Sequence, residues 1–522
     1  MRVSLLFVAC LLALTAGCTG PGPTGKVPAN GTSMVLAVGA APVTLDPLAG
    51  YAPHGAAKIF DGLLEYQRDG SLRPALAAAM PEPAADGRSW TVKLRTGVKF
   101  SDGSAFGAAD VVATYRALLN PRTASPLRSK YSMLSGVRLV DATTVRFDLA
   151  YPYLPFQNLL VLGILPSESL ARPRPVATSP QRTHPVGTGP YQVVSFQPGK
   201  KLVLKANRGY FSGAPKVTKV TVLLGQSDAV RAREVRQGKV DGTPVPATMA
   251  KHLGQADSYQ VIRQRSAEFR AVSLPARGAV TGDLAMREAL NYAADRKSIV
   301  DGPLAGAGSV ASTPITDVQP EFSEPSATFA FDKAKAQTLL QQGGWQEGAD
   351  GVRARHGVRA AITLDYRQGD TVARALASAF AHDAAGVGVS VTPHAIASAS
   401  LAGRAGHDAE LISAGNPFDP GLCVYPLLHT GGAANHMGYS DAAVDTVLDT
   451  ARRERDPGQR AVEFRQLQRE YLADPAMVVL ARLDHSYLQR DGWKGYQAVT
   501  DAGDSAPFTW GPWWNLRQWS PQ

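Results

Sequence analysis

The chain contains residues able to do chemistry, but not at the spacings that local catalytic motifs require. Ten histidines are scattered over 522 residues. His429 and His436 stand seven apart, which suits no common two-ligand helical pair, so hydrogen-bonded or exposed histidines are favoured over metal ligands. There is no Gly-x-Ser-x-Gly elbow, no His-Glu-x-x-His pair and no paired-cysteine metal signature. A triad assembled from distant segments leaves no such local mark. Gly187-Thr188-Gly189 is followed by no phosphate-loop lysine and lacks the third glycine of a dinucleotide fingerprint. Two glycines and two prolines within Pro185–Tyr191 read instead as a tight turn, because glycine permits positive φ and proline presets its own. On these local signals no enzyme chemistry, no cofactor and no metal site is expected.

The N-terminus bears on where the protein works. Met1-Arg2 is a short positive segment, and Leu5 to Leu14 is apolar and broken by no charge. That length suits a signal-peptide core and is too short to span a bilayer. Thr15-Ala16-Gly17-Cys18 then looks like a lipobox, with Thr15 where an aliphatic residue is usual. Cys18 is the expected lipidation site and mature N-terminus; secretory cleavage nearby, with Cys18 incidental, is the other reading. Lipidated, the protein is exported and anchored to the outer face of the cell membrane, since no later segment is apolar enough to cross it.

Residues Thr19 to Ser33 hold Gly, Pro, Ser, Thr and Asn with almost nothing apolar, as expected of a tether. Once Cys10 leaves with the signal and Cys18 carries lipid, Cys423 alone remains and no intramolecular disulfide can form. Cys423 reads as a small buried hydrophobe. The formal charge is +10, and losing Arg2 leaves +9. The cations are spread without a basic run, so nucleic acid is not an expected partner; anionic lipid or cell wall is the milder one.

Alternating strand and helix patterns run through the rest of the chain, with no internal repeat. Trp90–Leu94 and Val145–Leu149 alternate apolar and polar residues, as half-buried strands do. Asp332 is positioned to cap a helix carrying Leu339 and Leu340 and stopped by Gly343-Gly344. Val372, Leu376, Ala379 and Phe380 repeat at helical spacing up to Gly386, after which Val387, Val389 and Val391 switch to period two. Ser440 is expected to cap a helix with Val444, Val447, Leu448 and Ala451 on one face, and a last helix carries Phe464, Leu467, Tyr471 and Leu472. Such alternation over about 480 residues implies more than one α/β lobe.

A series of strings in fixed order then carries a resemblance. It runs from Thr44-Leu45-Asp46-Pro47 through Phe60–Tyr66, Leu72–Ala77, Leu94–Gly103 and Ala109–Val112 to Pro185–Tyr191. Asn207–Phe211, Gly238–Asp241 and Met286–Arg296 follow. In order and spacing, over nearly the whole mature chain, this resembles the family 5 solute-binding proteins of bacterial ABC importers, which include dipeptide-, oligopeptide- and nickel-binding proteins. The resemblance implies a two-lobed α/β fold of the periplasmic-binding-protein type II class, with an extra subdomain in the larger lobe. Lobe I would comprise 34–280 plus 482–522, with 74–183 as the subdomain, and lobe II 281–481. Crossing strands near Arg277–Gly282 and Arg482–Gln489 would form the hinge. A monomer would close on its solute and present it to ABC permease subunits; a solute must touch both lobes to shift the open–closed balance.

The resemblance also implies where the solute sits. Peptide-binding members pair the peptide's α-ammonium with a carboxylate in the segment matching Ser413–Pro420. Asp419-Pro420 fits the pattern, but the position after Gly415 that usually carries the aspartate is Asn416. Asparagine brings no charge, so free α-amines are not expected to be bound in the usual way. The expected ligand-binding residues are Gly415, Asn416 and Asp419, with Tyr51, His54 and Trp510 as cleft walls. Trp510, Trp513, Trp514 and Trp519 form the densest aromatic cluster, and anchoring the C-terminal tail is its other reading. The implied function is capture of a peptide or peptide-like solute. Alternatives are a nickel or other metal chelate, a surface ligand sensor, and a hydrolase on a borrowed fold.

Overall fold

A computed structural model describes residues 31–40, 42–55, 58–253, 258–397, 409–502 and 508–522. The expected signal segment, Cys18 and nearly all of the tether lie outside the described residues. Among those described, no helix is long and apolar enough to cross a membrane.

One large mixed sheet runs through the molecule. Its main strands are β1 (Ser33–Ala37), β2 (Tyr191–Gln197), β3 (Lys201–Ala206), β4 (Lys219–Leu223), β5 (Gly242–Val245), β6 (Tyr259–Ser273), β7 (Ala361–Arg367), β8 (Ser390–Ile396), β9 (Ala409–Ala414) and β10 (Met477–Arg490), with the short strand Gly308–Ser309 paired to β10 beside them. Side by side they lie in the order β8-β7-β9-β6-β10-β5-β1-β4-β3-β2. A separate four-stranded antiparallel sheet spans Glu82 to Leu149 and includes the strands expected at Trp90 and Val145. Its Trp90 and Phe147 join the same core as Met34, Leu36 and Val220, so this sheet is an extension of the first lobe. Second-lobe cores form around Met286, Leu290, Trp345 and Phe380, and around Val424, Leu448, Phe464 and Tyr471.

Strands β6 and β10 pass between the lobes. Tyr259 and Ile262 of β6 pack in first-lobe cores, whereas Phe269, Ala271 and Val272 pack in second-lobe cores. In β10, Met477 to Leu483 belong to the second lobe and Tyr487 and Leu488 to the first. The crossing strand expected near Arg277–Gly282 therefore lies earlier in the chain. Residues 277–282 are turns, closed by Gly282 N–H to Gly278 O at 2.8 Å. Paired glycines at 278 and 282 favour such a turn, while the β-branched and aromatic residues lie upstream in β6.

Helices form where their caps and apolar stripes agree. Three matter for the site: α1 (Gly421–Leu428), α2 (Ala442–Arg453) and α3 (Pro457–Ala473). The Asp332 cap is present, accepting from Lys335 N–H at 2.8 Å, and that helix runs Lys333–Gln342 up to the glycine pair. Helix Thr371–Ala385 stops at Gly386, after which Val387 and Val389 are buried in a turn and the strand itself begins at Ser390. For α2 the cap is Asp441, not Ser440: Asp441 accepts from Val444 N–H at 2.8 Å, while the Ser440 hydroxyl accepts from Thr430. A carboxylate is the stronger acceptor at a positive helix N-terminus.

The fixed-order strings meet in space, which accounts for their residue types. Asp61 accepts from Thr188 Oγ1 at 2.8 Å and from the Tyr210 hydroxyl at 2.9 Å, tying three strings together. Burial pushes the Asp61 carboxyl up to about 6, against the pull of those hydrogen bonds. Glu65 makes a bidentate pair with Arg517 at 2.9 and 3.0 Å, which holds the C-terminal segment. In the second lobe, Arg296 Nε reaches Val479 O at 2.7 Å and Asn291 Nδ2 reaches Met477 O at 3.2 Å, docking the Met286–Arg296 string on β10.

The Pro185–Tyr191 segment is not the expected tight turn: neither glycine has positive φ, and it lies along the backbone of Lys58-Ile59, with Gly189 N–H donating to Ile59 O at 2.9 Å. A Cβ on Gly187 would come within 2.2 Å of that same carbonyl oxygen. Gly187→Ala is therefore expected to cost about 2–3 kcal/mol through overpacking, read as a lowered midpoint in urea unfolding. An unchanged midpoint would show that the segment yields.

Candidate functional site: a cleft floored by the hinge strands

Where β6 and β10 change lobes, their register shifts between Arg265 and Phe269. The shift leaves Ser266, Ala267 and Glu268 outside the regular ladder. Ser266 Oγ donates to Leu483 O at 2.7 Å, and Ala267 N–H donates to Asp501 O at 2.8 Å. Glu268 sits between both lobes and both strands. Its Oε2 faces His485 Nε2 of β10 at 2.6 Å, and its Oε1 accepts from Arg270 Nε at 2.5 Å and Ser413 Oγ at 2.8 Å. His485 Nδ1 lies 3.0 Å from Asp501 Oδ2, which also accepts from the Tyr487 hydroxyl at 2.5 Å. Arg270 reaches on to Asp370 at 3.0 Å.

Three carboxylates thus meet two cations at the crossing. Burial alone would hold the His485 imidazole down, but its hydrogen bonds to Asp501 and Glu268 carry it up to about 10. Burial would likewise raise Glu268, but Arg270 and His485 take it down to about 2. At neutral pH His485 is an imidazolium with no lone pair to accept a proton. The group therefore cannot work as a general base, despite its superficial likeness to a catalytic His–Asp pair. It is an ion network that ties two strands and two lobes together.

The segment Ser413–Pro420 leaves β9 directly above this network. Gly415 has φ +140°, and a Cβ there would fall 1.9 Å from Ala267 O, so the loop presses on the hinge backbone. Asn416 Oδ1 accepts from Phe418 N–H at 2.9 Å and Asp419 N–H at 3.0 Å, which folds the loop into a turn. Asp419 is 4 % exposed and clamped bidentately by Arg460 of α3 at 2.6 and 2.8 Å. It is held as an internal counter-charge, so it does not stand in for the carboxylate missing at 416.

Phe418, delivered by that turn, lies on first-lobe aromatics. Its ring stacks on Tyr66 at 3.5 Å between centroids and 7° between planes, and meets Trp510 edge-on at 5.1 Å. His54 lies 5.4 Å from the same ring. Trp510 is anchored by Nε1–H to Thr500 O at 2.9 Å, one residue from Asp501, so the aromatic wall and the ion network adjoin. Tyr51 is buried in the first-lobe core, where desolvation raises its hydroxyl above the ordinary tyrosine range. The other tryptophans divide between the two expected roles. Trp513 and Trp519 are buried and hydrogen-bonded to Gln489 and Asn515, which anchors the tail, whereas Trp514 packs against Trp510 at 5.6 Å.

The structure thus brings Gly415, Asn416, Asp419, His54 and Trp510 together on and around the loop that carries Phe418. Tyr66, Phe418, Glu268 and His485 also belong there and were not singled out from the sequence. Tyr66 and Phe418 lie within strings already noted, but Glu268 and His485 are 217 residues apart and carry no local mark. Cys423 is half-buried against a second-lobe core, and His429 stacks on Tyr425 at 4.5 Å. Among the described residues no group of three His, Cys, Asp or Glu side chains is placed to hold a metal ion.

Two α/β lobes joined by crossing strands, with a loop of one laid on aromatics of the other, define a two-lobed binding protein of the type II periplasmic-binding fold. The chain belongs to the bacterial extracellular solute-binding proteins, family 5, whose middle region matches residues 71–435. It is 41% identical over 499 residues to Protein XP55 of Streptomyces lividans, covering 93% of this chain and 91% of that one. It is 28% identical over 374 residues to the nickel-binding periplasmic protein of Escherichia coli K12, covering 67% and 69%. The solved structure of the oligopeptide-binding protein AppA of Bacillus subtilis with a nonapeptide superposes with a TM-score of 0.83 at 23% identity, over 94% of this chain and 99% of that one. Family and fold are those of exported binding proteins, not enzymes.

The raised pKa of His485 has a definite signature. Its contribution to stability is full below pH 6.5, the ordinary histidine value, and is lost as pH rises through about 10. The stability gap between wild type and His485→Gln, measured by urea unfolding, should be largest near pH 6 and narrow steadily toward pH 10. A gap that widens with pH would mean that the imidazole is neutral in the fold.

Proposed function

We propose that the solute is a peptide or peptide-like molecule, captured in the interlobe cleft and delivered to ABC permease subunits by a monomer anchored to the membrane through lipidated Cys18. The lobes, expected as 34–280 with 482–522, including the 74–183 subdomain, and 281–481, would change at Ser266–Glu268 instead, so that residues 269–280 go with the second lobe. Gly415, Asn416, Asp419, Tyr51, His54 and Trp510 are proposed to shape the ligand seat, the first three through the loop and the others as walls. The observation that carries this reading is the loop 415–420 itself. The family resemblance implies that this segment holds the ligand amine in peptide-binding members, and here it bridges the hinge and the aromatic wall.

Neither of its two candidate anchors is a free carboxylate. Asn416 is uncharged and caps its own turn, and Asp419 is neutralised by Arg460. The preferred solute is accordingly one whose amino end is blocked, absent or held elsewhere, with apolar or aromatic parts able to replace Phe418 against Tyr66 and Trp510. A metal chelate is the second reading, supported by the nickel-binding relative; calorimetry with nickel plus L-histidine tests it.

Asn416→Asp separates charge from structure. A carboxylate oxygen accepts the same two backbone hydrogen bonds, so the turn is kept while a negative charge is added. Affinity for free dipeptides should rise by about tenfold or more, with that for N-acetylated dipeptides unchanged, by isothermal titration calorimetry. No rise for free dipeptides would remove position 416 as the determinant. Native mass spectrometry of the purified protein before and after mild denaturation addresses the class directly. Released masses spaced by amino-acid residues support a peptide, and a single discrete mass overturns that in favour of one dedicated solute or chelate.

A further inference from the structure

Away from the hinge, the C-terminal turn of α2 reaches across to the first lobe. The buried face of α2 (Val444, Val447, Leu448 and Ala451) belongs to a second-lobe core. Tyr151 and Tyr153 belong with the first-lobe core, Tyr153 buried within it and Tyr151 packed against it. Between them stands Arg452. Its guanidinium carbon lies 4.2 Å from the ring centre of Tyr425 in its own lobe, and 5.0 and 5.7 Å from those of Tyr153 and Tyr151 in the other. Its Nε donates to the Tyr151 hydroxyl at 2.6 Å, and its Nη2 to Ser132 Oγ at 3.2 Å. Arg453 approaches the Tyr151 ring at 5.4 Å, and Arg455 Nη2 donates to Ala85 O at 2.6 Å. Three arginines within four positions therefore grip the first lobe from one helix end.

We infer that Arg452, caged by Tyr151, Tyr153 and Tyr425, is a latch that fastens the two lobes in the closed form without contacting the solute. Guanidinium suits this task. It is planar, so it stacks on aromatic faces while its edge donates hydrogen bonds, and it is weakly hydrated, so leaving water costs it less than it would an ammonium. Every partner across the gap is lost when the lobes part, whereas Tyr425 and the α2 core remain. The latch consequently favours closure specifically and adds little to the stability of either lobe.

The latch is also connected to the ligand loop. A small cavity beside Arg452 is lined by Tyr153, Tyr425, Leu448, Phe464 and Arg460. Arg460 is the residue that clamps Asp419 in the loop 415–420. Seating of the loop and seating of the latch thus share one side chain. A solute that repositions Phe418 acts on the same cluster from the other end.

The test needs no solute and so stands apart from the reading of the ligand. Small-angle X-ray scattering of the solute-stripped full chain compares wild type with Arg452→Met and with Tyr153→Leu, which attack the cage from opposite lobes. Each should shift the open-to-closed ratio by about tenfold or more toward open, seen as a larger radius of gyration. Arg452→Lys should recover part of the closure, and the thermal midpoint of Arg452→Met should stay close to wild type, whereas Tyr153→Leu also loses core packing and is read by opening alone. An unchanged radius of gyration in both Arg452→Met and Tyr153→Leu would overturn the latch. So would a fall in the thermal midpoint of Arg452→Met without opening, which would make the cage an ordinary packing contact.

Discussion

The crossing of β6 and β10 is the constraint on which the rest of this molecule depends. Two strands serve as the edge of one lobe's sheet and then of the other's, so they must leave their mutual register somewhere. The register shift at Ser266–Glu268 meets that need. It would leave backbone and side-chain polar groups stranded, and the structure answers with Ser266, His485 and Asp501. Burying three carboxylates and two cations is unfavourable unless each is hydrogen-bonded to the others. Here each is, so the network specifies one geometry for the crossing.

The ligand-facing parts are then built outward from that point. Gly415 can lie against Ala267 only because it has no Cβ, and this sets where β9 delivers its loop. Asn416 turns the loop, Asp419 and Arg460 pin it to α3, and Phe418 is thereby aimed at Tyr66 and Trp510. The aromatic wall is therefore not a loose hydrophobic patch. Each ring is placed by a polar bond behind it: Trp510 by Thr500, Phe418 by Asn416. Opening and closing can accordingly occur as movement of whole lobes about the crossing, with the side chains of each wall kept in position.

Much of the fold was legible in the residues. The aspartate cap at 332, the glycine stops at 343–344 and 386, and the alternation at Trp90 and Val145 are local signals, and the elements form where those signals lie. Ser440 was a misreading by one residue: both Ser440 and Asp441 are competent caps, and the carboxylate takes the helix end while the Ser440 hydroxyl is engaged by Thr430. The hinge strand that the family resemblance implied near Arg277–Gly282 lies earlier, because the junction is an irregularity inside a long strand. Periodicity does not mark such a place, as the strand's residue types continue unbroken across it.

The sequence by itself determined the class of the protein. Motif order, the absence of catalytic spacing and the α–β alternation all derive from residue type and separation along the chain. It also showed that Asn416 carries no charge. Only the tertiary structure decided that Asp419 is neutralised by Arg460, that Glu268 and His485 meet, and that Arg452 spans the lobes. Those facts depend on groups up to several hundred residues apart being brought within hydrogen-bond or ring-contact distance. Charge, protonation and availability are properties of that assembled surrounding, not of the residue alone.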